Sequence, residues 1–379
     1  MNTAIILSEC VIVRRTFSRN ASFALTACAL SLFLLVLAAP LALGDTWDGG
    51  GEDDNFGTGA NWVDNTAPSP SASTDLFFAG STRLAPNNNY TGFDRFRSWY
   101  FNIGAGSFNI SGNAIDLGFK IENNSTALQT VSIAAIASAG DFLEMNPVSG
   151  DLNINVADIF LNGDQLRIYG DAAKTITFEN SVISNGSFAL NGDSTAHFKS
   201  VMTYSGSTSV NAGVLNLDSS SGAAAGSTTS VSVASGAKLL ISQSGQVNND
   251  AAVSLSGGTI QRASGVDEEF GALSIDSNST LNFGDGTAGN LTFGVYEAGS
   301  QPTHKLTVNN FFSANTLVFG SDLSSYISSS YSGTSFTSTY FDINSTSGGF
   351  TSNWNGSTFT ITAIPEPSTY LAAAGLFAL

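Results

Sequence analysis

The stretch Val210-Asn211-Ala212-Gly213-Val214-Leu215-Asn216-Leu217 decides the fold that we expect for this chain. A turn-forming Asn-Ala-Gly leads into a short segment of mixed apolar and polar residues, which is typical of a strand with one buried face. Similar strands follow other turns, at Lys238-Leu239-Leu240-Ile241 and Thr280-Leu281-Asn282-Phe283. Because this patterning runs from about Leu76 to Phe319, the chain is predicted to be all-β.

The turns recur with a regular period. The residues that mark them lie 20 to 27 positions apart. A unit of this length that holds strands and turns but no helix is typical of a β-solenoid, in which each coil buries its apolar side against the next. Gly and Asn are expected at the corners because they tolerate positive φ. The markers are Gly140, Gly163, Gly186, Gly213, Gly236, Gly258 and Asn278.

We therefore predict a right-handed parallel β-helix over residues 76–320, with an N-terminal signal helix and a short apolar C-terminal segment. Separate β-sandwich domains are the alternative, but their hairpins would give turns about every 8–12 residues. Residues 45–75, with Trp47 and Trp62, and the Ser/Thr-rich residues 321–361 are expected to cover the two ends. Bare ends of a solenoid would pair with other chains.

The composition excludes several classes of protein. Only 11% of the 379 residues are charged, against about 25% in an average soluble domain, which argues against helical bundles and coiled coils. With 42% hydrophobic residues the chain can build a core, so disorder is not expected. The net charge of −17 would repel phosphates, so no nucleic-acid partner is expected.

Residues 1–44 have the pattern of a secretory signal peptide. Three arginines precede an apolar run from Ala21 to Leu43, and small residues favour cleavage between Gly44 and Asp45. An uncleaved membrane anchor is the alternative, since about 20 apolar residues span a bilayer. Cleavage would remove both cysteines, three of the 13 Lys and Arg and one of the 30 Asp and Glu, leaving a thiol-free chain of net charge −19.

The C-terminus contains Pro365-Glu366-Pro367-Ser368-Thr369, followed after Tyr370 by nine apolar residues. This run resembles the PEP-CTERM sorting signal of Gram-negative bacteria, in which Pro-Glu-Pro precedes a transmembrane helix and a basic cluster. The resemblance implies processing by an exosortase-type membrane enzyme and delivery to the cell surface or extracellular matrix. Because nine residues are too few to span a bilayer and no basic cluster follows, residues 362–379 are either a truncated or a degenerate signal. A proline-stiffened end is the alternative.

The body resembles autotransporter-associated β-strand repeat proteins, which are bacterial passenger segments with right-handed β-helix folds. This resemblance implies a shape rather than an activity. The stretches that carry it are residues 210–217, 231–239, 255–260 and 270–273, and the region from Trp47 to Trp62.

Few residues suggest catalysis. His197 and His304 are distant in sequence and are each expected on a polar face, and no nucleophile motif is present. Acids are the candidates for a polysaccharide lyase or hydrolase, which would need them close together, usually with a facing cation. The same spacings are expected of solvated turns, so no catalytic residue is assigned. The candidates are Asp267-Glu268-Glu269 with Arg262, Asp164 with Arg167, and Asp141 with Glu144.

No cofactor is predicted, and calcium is the one metal that the sequence leaves open. Its oxygen ligands would come from Glu52-Asp53-Asp54-Asn55 or from Asp285. One basic-aromatic patch offers rings that would stack on sugars, although the alternation from Arg97 to Phe101 favours a buried strand. The patch consists of Tyr90, Phe93, Phe96, Trp99, Tyr100, Arg83, Arg95 and Arg97.

The sequence thus favours an exported, non-enzymatic structural or surface protein. Its expected partners are the exosortase-type enzyme and exopolysaccharide, and it would meet a membrane only through its terminal segments. The alternative is a carbohydrate-binding adhesin or a polysaccharide-degrading enzyme on the same solenoid, because a fold alone does not decide function.

Overall fold

The computed structural model describes residues 45–285, 287–298, 304–312, 315–344 and 348–364. The predictions for the signal segment, including Gly44, and for the sorting motif from Pro365 to Thr369 lie outside these residues. The described chain consists of strands and turns, with one 3-10 turn at Gly59–Asn61. No helix in these ranges is long and apolar enough to cross a membrane.

The strands, numbered β1 to β34 in chain order, form three sheets along a solenoid of about ten turns. The first sheet contains, in spatial order, β1 (Asp45–Trp47), β2 (Asp75–Phe78), β4 (Asp94–Phe101), β6 (Ile115–Asn123), β9 (Phe142–Pro147), β12 (Gln165–Ile168), β15 (Ser187–Leu190), β17 (Ser207–Val210), β19 (Ser230–Ala234), β21 (Ala252–Ser256), β24 (Leu273–Ser277) and β27 (Tyr296–Ala298). Its flank carries β8 (Ala135–Ser138), β11 (Asp158–Phe160) and β14 (Val182–Ser184).

The second and third sheets form further sides of the coil. The second contains β3 (Asn87–Asn88), β5 (Asn109–Gly112), β7 (Gln129–Ile133), β10 (Leu152–Ile154), β13 (Thr175–Phe178), β16 (Thr195–Phe198), β18 (Val214–Leu217), β20 (Lys238–Ile241), β22 (Thr259–Arg262), β25 (Ser279–Asn282), β28 (Leu306–Asn309), β32 (Phe341–Asn344) and β31 (Ser335–Thr337). The third contains β23 (Glu268–Phe270), β26 (Asn290–Phe293), β29 (Thr316–Phe319), β34 (Phe359–Ala363), β33 (Phe350–Trp354) and β30 (Ser330–Tyr331).

Parallel pairing in register stacks like residues on like. Leu215 pairs with Ala196 on one side and with Leu239 on the other, and all three are fully buried. Such apolar columns form one continuous core, because alternate residues of every strand point into the coil. The predicted parallel β-solenoid is therefore confirmed, and the sandwich alternative is wrong. The handedness of the coil stays a prediction.

The period read from the turn residues mixes two corners of the coil. The first three markers precede strands of the first sheet, whereas the last four precede strands of the second sheet. The 27-residue step from Gly186 to Gly213 is the point where the series moves between them. The residue that follows Gly186 in the same column is Gly206, immediately before β17.

Glycine is required at these corners for two different reasons. Gly213 has a φ of +62°, as predicted, and a Cβ there would also lie 2.2 Å from the carbonyl oxygen of Ser194. Gly186 lacks a positive φ, so the predicted reason is wrong for this residue. A Cβ on Gly186 would lie 2.4 Å from the carbonyl oxygen of Asp164 in the preceding coil, so close backbone approach excludes a side chain.

The two ends of the stack are covered differently. Strand β1 is the first rung, and its outer edge is closed where the Val63 N–H donates to the Thr46 carbonyl at 2.9 Å. The rings of Trp47, Phe56 and Trp62 close the core beneath it, with centroids 5.3 to 6.0 Å apart. At the other end β30, β31, β33 and β34 pair antiparallel, and with two isolated bridges these are the antiparallel contacts of the described chain.

Candidate functional site

Asp267, Glu268 and Glu269, the acid group that the sequence offered as a candidate, border one cavity. The cavity has a volume of about 280 Å³, and we call it the acid cavity. Strand β23 starts at Glu268, so successive side chains alternate between the interior and the surface. The other lining residues are Gly245, Asn249, Asn290 and Thr292.

Glu268 is the interior member of this group and is only 3% exposed. Its carboxylate oxygens accept hydrogen bonds from the backbone N–H groups of Gln246 and Val247, at 2.7 and 2.9 Å. Burial raises the pKa of Glu268 to about 7, because the loss of solvation outweighs the backbone donors. The side chain thus ties β23 to the preceding coil.

Asp267 and Glu269 lie at the surface and are also bound to neighbouring coils. Asp267 accepts the backbone N–H of Asn290 at 2.7 Å, and Glu269 accepts the side-chain amide of Asn249 at 2.9 Å. No Lys or Arg is among the residues that line the acid cavity. A polysaccharide lyase or hydrolase normally uses a facing cation or a pair of free acids. The residues that line the acid cavity include no cation, and each of its two surface acids accepts a hydrogen bond from a neighbouring coil.

The sequence spacing would allow Arg262 to meet the Asp267 cluster, but the two form no ion pair in the structure. The guanidinium is fully buried, and it donates to the carbonyls of Ala263 and Thr287 at 2.8 and 2.7 Å and to Asn315 Oδ1. It also lies 5.0 Å from the ring centre of Phe283. Burial lowers the pKa of Arg262, and the charge of Asp267 acts on it only at longer range.

The other paired candidates are also separate. Asp164 accepts from Ser138 Oγ at 2.8 Å, whereas Arg167 donates to Gln165 Oε1 at 2.9 Å and lies over the Phe142 ring at 4.1 Å. The predicted meeting of Asp164 with Arg167 is therefore wrong. Of the remaining acids, Asp141 is exposed, and Glu144 accepts from Asn146 Nδ2 at 3.2 Å.

The two histidines lie far apart on the solenoid. His197, in β16, is half-buried on the outer side of the second sheet, with Nε2 3.0 Å from Asp218 Oδ2. His304 precedes β28, five rungs further along the same sheet, which corresponds to about 24 Å. The prediction that His197 lies on a polar face is confirmed.

The acidic run near the N-terminus is built around hydrogen-bond donors. Asp53 accepts from the Asn55 backbone N–H, from Thr58 Oγ1 and from Asn61 Nδ2, at 2.9 to 3.2 Å. Asp54 pairs with Arg83 at 3.3 Å. Calcium would have to displace these donors, because it requires free oxygen ligands. Within the described ranges, no group of three or more His, Cys, Asp or Glu residues is placed to hold a metal.

The basic-aromatic patch is divided between the core and the surface. Phe96 and Trp99 are fully buried, which confirms the core interpretation for these rings. Tyr100 lies on the outer side and stacks on Phe77 with centroids 5.0 Å apart, while Phe93 is 55% exposed. The three arginines each pair with an acid: Arg83 with Asp54, Arg95 with Asp116, and Arg97 with Asp75.

One surface was missed by sequence reasoning. The outer side of the first sheet carries a straight column of small residues, which we call the serine row, between Arg167 and Glu297. Only the register of the strands shows that these residues are neighbours, because they are about 20 positions apart in sequence. The serine row consists of Ala189, which is buried, and of the half-buried Ser209, Ser232, Ser254 and Ser274.

Comparison of this chain with protein families, with curated proteins and with solved structures finds no match.

Proposed function

We propose that this protein is an exported, non-enzymatic structural protein of the cell surface or extracellular matrix, sorted through its PEP-CTERM-like tail. One observation carries the proposal. The solenoid is continuous, and its candidate acids bind donors of neighbouring coils instead of converging on a groove with a facing cation. Residues bound in this way hold the shape of the solenoid together.

The mechanism that we propose is geometric. Parallel coils about 4.8 Å apart give a stiff rod whose outer positions are largely Ser, Thr and Asn. These side chains hydrate well and can each make a weak hydrogen bond to exopolysaccharide hydroxyls, so affinity would come from many contacts along the rod. The large negative charge keeps the rods soluble.

Fractionation of the producing cells tests export. We expect the chain in the surface or extracellular fraction, with an N-terminus at Asp45. A variant in which Pro365, Glu366 and Pro367 are changed to Ala should be exported but accumulate in the membrane fraction, whereas Pro86→Ala is a control outside the motif. Recovery of the unprocessed chain in the cytoplasm would contradict the proposal.

A polysaccharide-degrading enzyme is the second candidate, and the acid cavity is the observation that favours it. The acid cavity places Glu268, whose pKa burial raises to about 7, next to two further acids, and glycoside hydrolases use pairs of carboxyl groups. The test is a depolymerisation screen over neutral and anionic polysaccharides with the native chain and with Asp267→Asn and Glu269→Gln. An activity of the native chain that each of the two substitutions abolishes would establish the enzyme. A native chain without activity on any of these polysaccharides would support the structural role.

A further inference from the structure

The column that contains the serine row has a symmetric pattern of charge. Consecutive partners in the ladder run from Arg167 through Ala189, Ser209, Ser232, Ser254 and Ser274 to Glu297. Ser232 is the middle of these seven positions. The cation therefore lies three rungs on one side of Ser232, and the anion lies three rungs on the other.

Neither charge is neutralised by a counter-charge, although Arg167 contacts neutral groups: it donates to Gln165 Oε1 at 2.9 Å and lies over the Phe142 ring. Neither Arg167 nor Glu297 has an ion pair with any side chain of the described residues. Arg167 follows Glu144 in the ladder, but Glu144 accepts from Asn146 and the two side chains do not reach ion-pair distance. Glu297 is exposed at the last strand of the sheet.

The surface beside Glu297 is concave. A trough of about 190 Å³ lies there, because six of the nine residues that border it are Ser or Ala. A second column of small residues, with Ser207 paired to Ser230 and Ser230 to Ala252, runs beside the serine row and lowers the surface further. At the other end the long side chain of Arg167 lies over the Phe142 ring, so one end of the face is filled where the other end is hollow.

We propose that this face binds a second copy of the chain, with the two rods antiparallel and a two-fold axis through Ser232. The axis runs along the strand direction, so a residue three rungs before Ser232 faces one three rungs after it. Arg167 of each copy then meets Glu297 of the other and enters its trough, and Ser209 faces Ser254. An interface of this kind is isologous and closes on itself.

The expected affinity is low. Seven rungs about 4.8 Å apart and strands of about five residues give a contact of roughly 500 Å² per copy, or about 1,000 Å² in total, which is at the lower limit for specific association. Dimers should therefore form where the protein is concentrated, for example when it is held at a surface. A register centred on Ser209 would pair Lys120 with Glu297, but it would place Arg167 against Ser254 without a counter-charge.

Cysteine cross-linking tests the axis directly. With Cys10 and Cys28 changed to Ser, the tested position holds the only thiol, whether or not the signal is cleaved. We expect Ser232→Cys alone to form a disulfide-linked dimer on mild oxidation. Ser209→Cys and Ser254→Cys should not form dimers separately, since each would lie about 10 Å from its own copy, but a mixture of the two should. Dimers from Ser209→Cys alone, or none from Ser232→Cys, would overturn the proposal.

Charge exchange tests the ends by sedimentation across protein concentration. Arg167→Glu and Glu297→Arg should each weaken dimerisation by about tenfold or more, and the double variant should restore it. Arg95→Glu, outside the face, should have no effect, and circular dichroism checks that every variant is folded. Equal association of all variants would refute the assignment. The assignment would also be refuted if the Ser232→Cys variant stays monomeric and dextran protects its thiol from modification, because the face would then bind glycan.

Discussion

A rise in pH from 4.5 to 8 should destabilise the protein through Glu268. This acid has a pKa of about 7 in the fold, against 4.5 for an unperturbed glutamic acid. The folded protein thus binds this proton more tightly than the unfolded chain does. Its stabilisation is fully present below pH 4.5 and is lost as the pH rises through about 7. At about 1.4 kcal/mol for each tenfold difference in proton affinity, the loss is about 3 kcal/mol.

The assay compares the free energy of unfolding of the native chain and of Glu268→Gln across this pH range. The amide cannot ionise, but its NH₂ group would face one of the two backbone donors, so the variant should be less stable at pH 4.5. The deficit should shrink by about 3 kcal/mol by pH 8. Glu269→Gln, an exposed neighbour, should keep the native profile. Parallel profiles for the native chain and Glu268→Gln would refute the reasoning.

Three further substitutions have expected outcomes that calorimetry can check. Gly213→Ala should lower the free energy of unfolding more than Gly236→Ala does. Both glycines have positive φ, but only the Cβ at 213 would meet a carbonyl oxygen, at 2.2 Å. Equal losses of stability would show that strain in φ alone matters. Arg262→Met should lower the free energy of unfolding by about 1–3 kcal/mol because it leaves buried neutral acceptors unpaired, whereas Arg95→Met should lower it by less than about 1 kcal/mol. A negligible effect for both would contradict the role of the buried guanidinium. Phe56→Ala should cost about 3–5 kcal/mol through loss of the ring cluster at the first rung, and an unchanged Tm would contradict it.

The fold could be predicted because a coil imposes the same demand on every repeat. Each strand must place apolar residues inward in register with its neighbours, so Leu215 and Leu239 are visible in the sequence as members of one pattern. The sequence could not show in the same way which corner of the coil each turn residue occupies. Gly186 and Gly213 look alike in sequence, but they precede strands of different sheets. A glycine at a corner indicates that a side chain is excluded there. Whether a positive φ or a close backbone neighbour excludes it depends on the coils around it.

The candidate site was only partly predictable. Sequence placed Asp267, Glu268 and Glu269 together, and the structure does bring them to one cavity. Sequence spacing could not show that Glu268 turns inward, because that depends on where β23 begins and on its partners in the preceding coil. The sequence names Arg262 but could not show its partners for a similar reason: its acceptor Asn315 is 53 positions away and meets it only through the stacking of coils.

The polar residues inside the solenoid explain why most of the conspicuous charges are structural. The corner between the second and third sheets is not a continuous ladder, so backbone groups there need side-chain partners. Gln246 accepts from the Ser219 N–H at 2.9 Å, and Glu268 in the next coil accepts from the Gln246 N–H at 2.7 Å. Each side chain completes the hydrogen bonding of the coil below it. The one charged residue in this series, Glu268, is therefore held by the hydrogen bonds of the stack, as its uncharged counterpart Gln246 is in the coil before it.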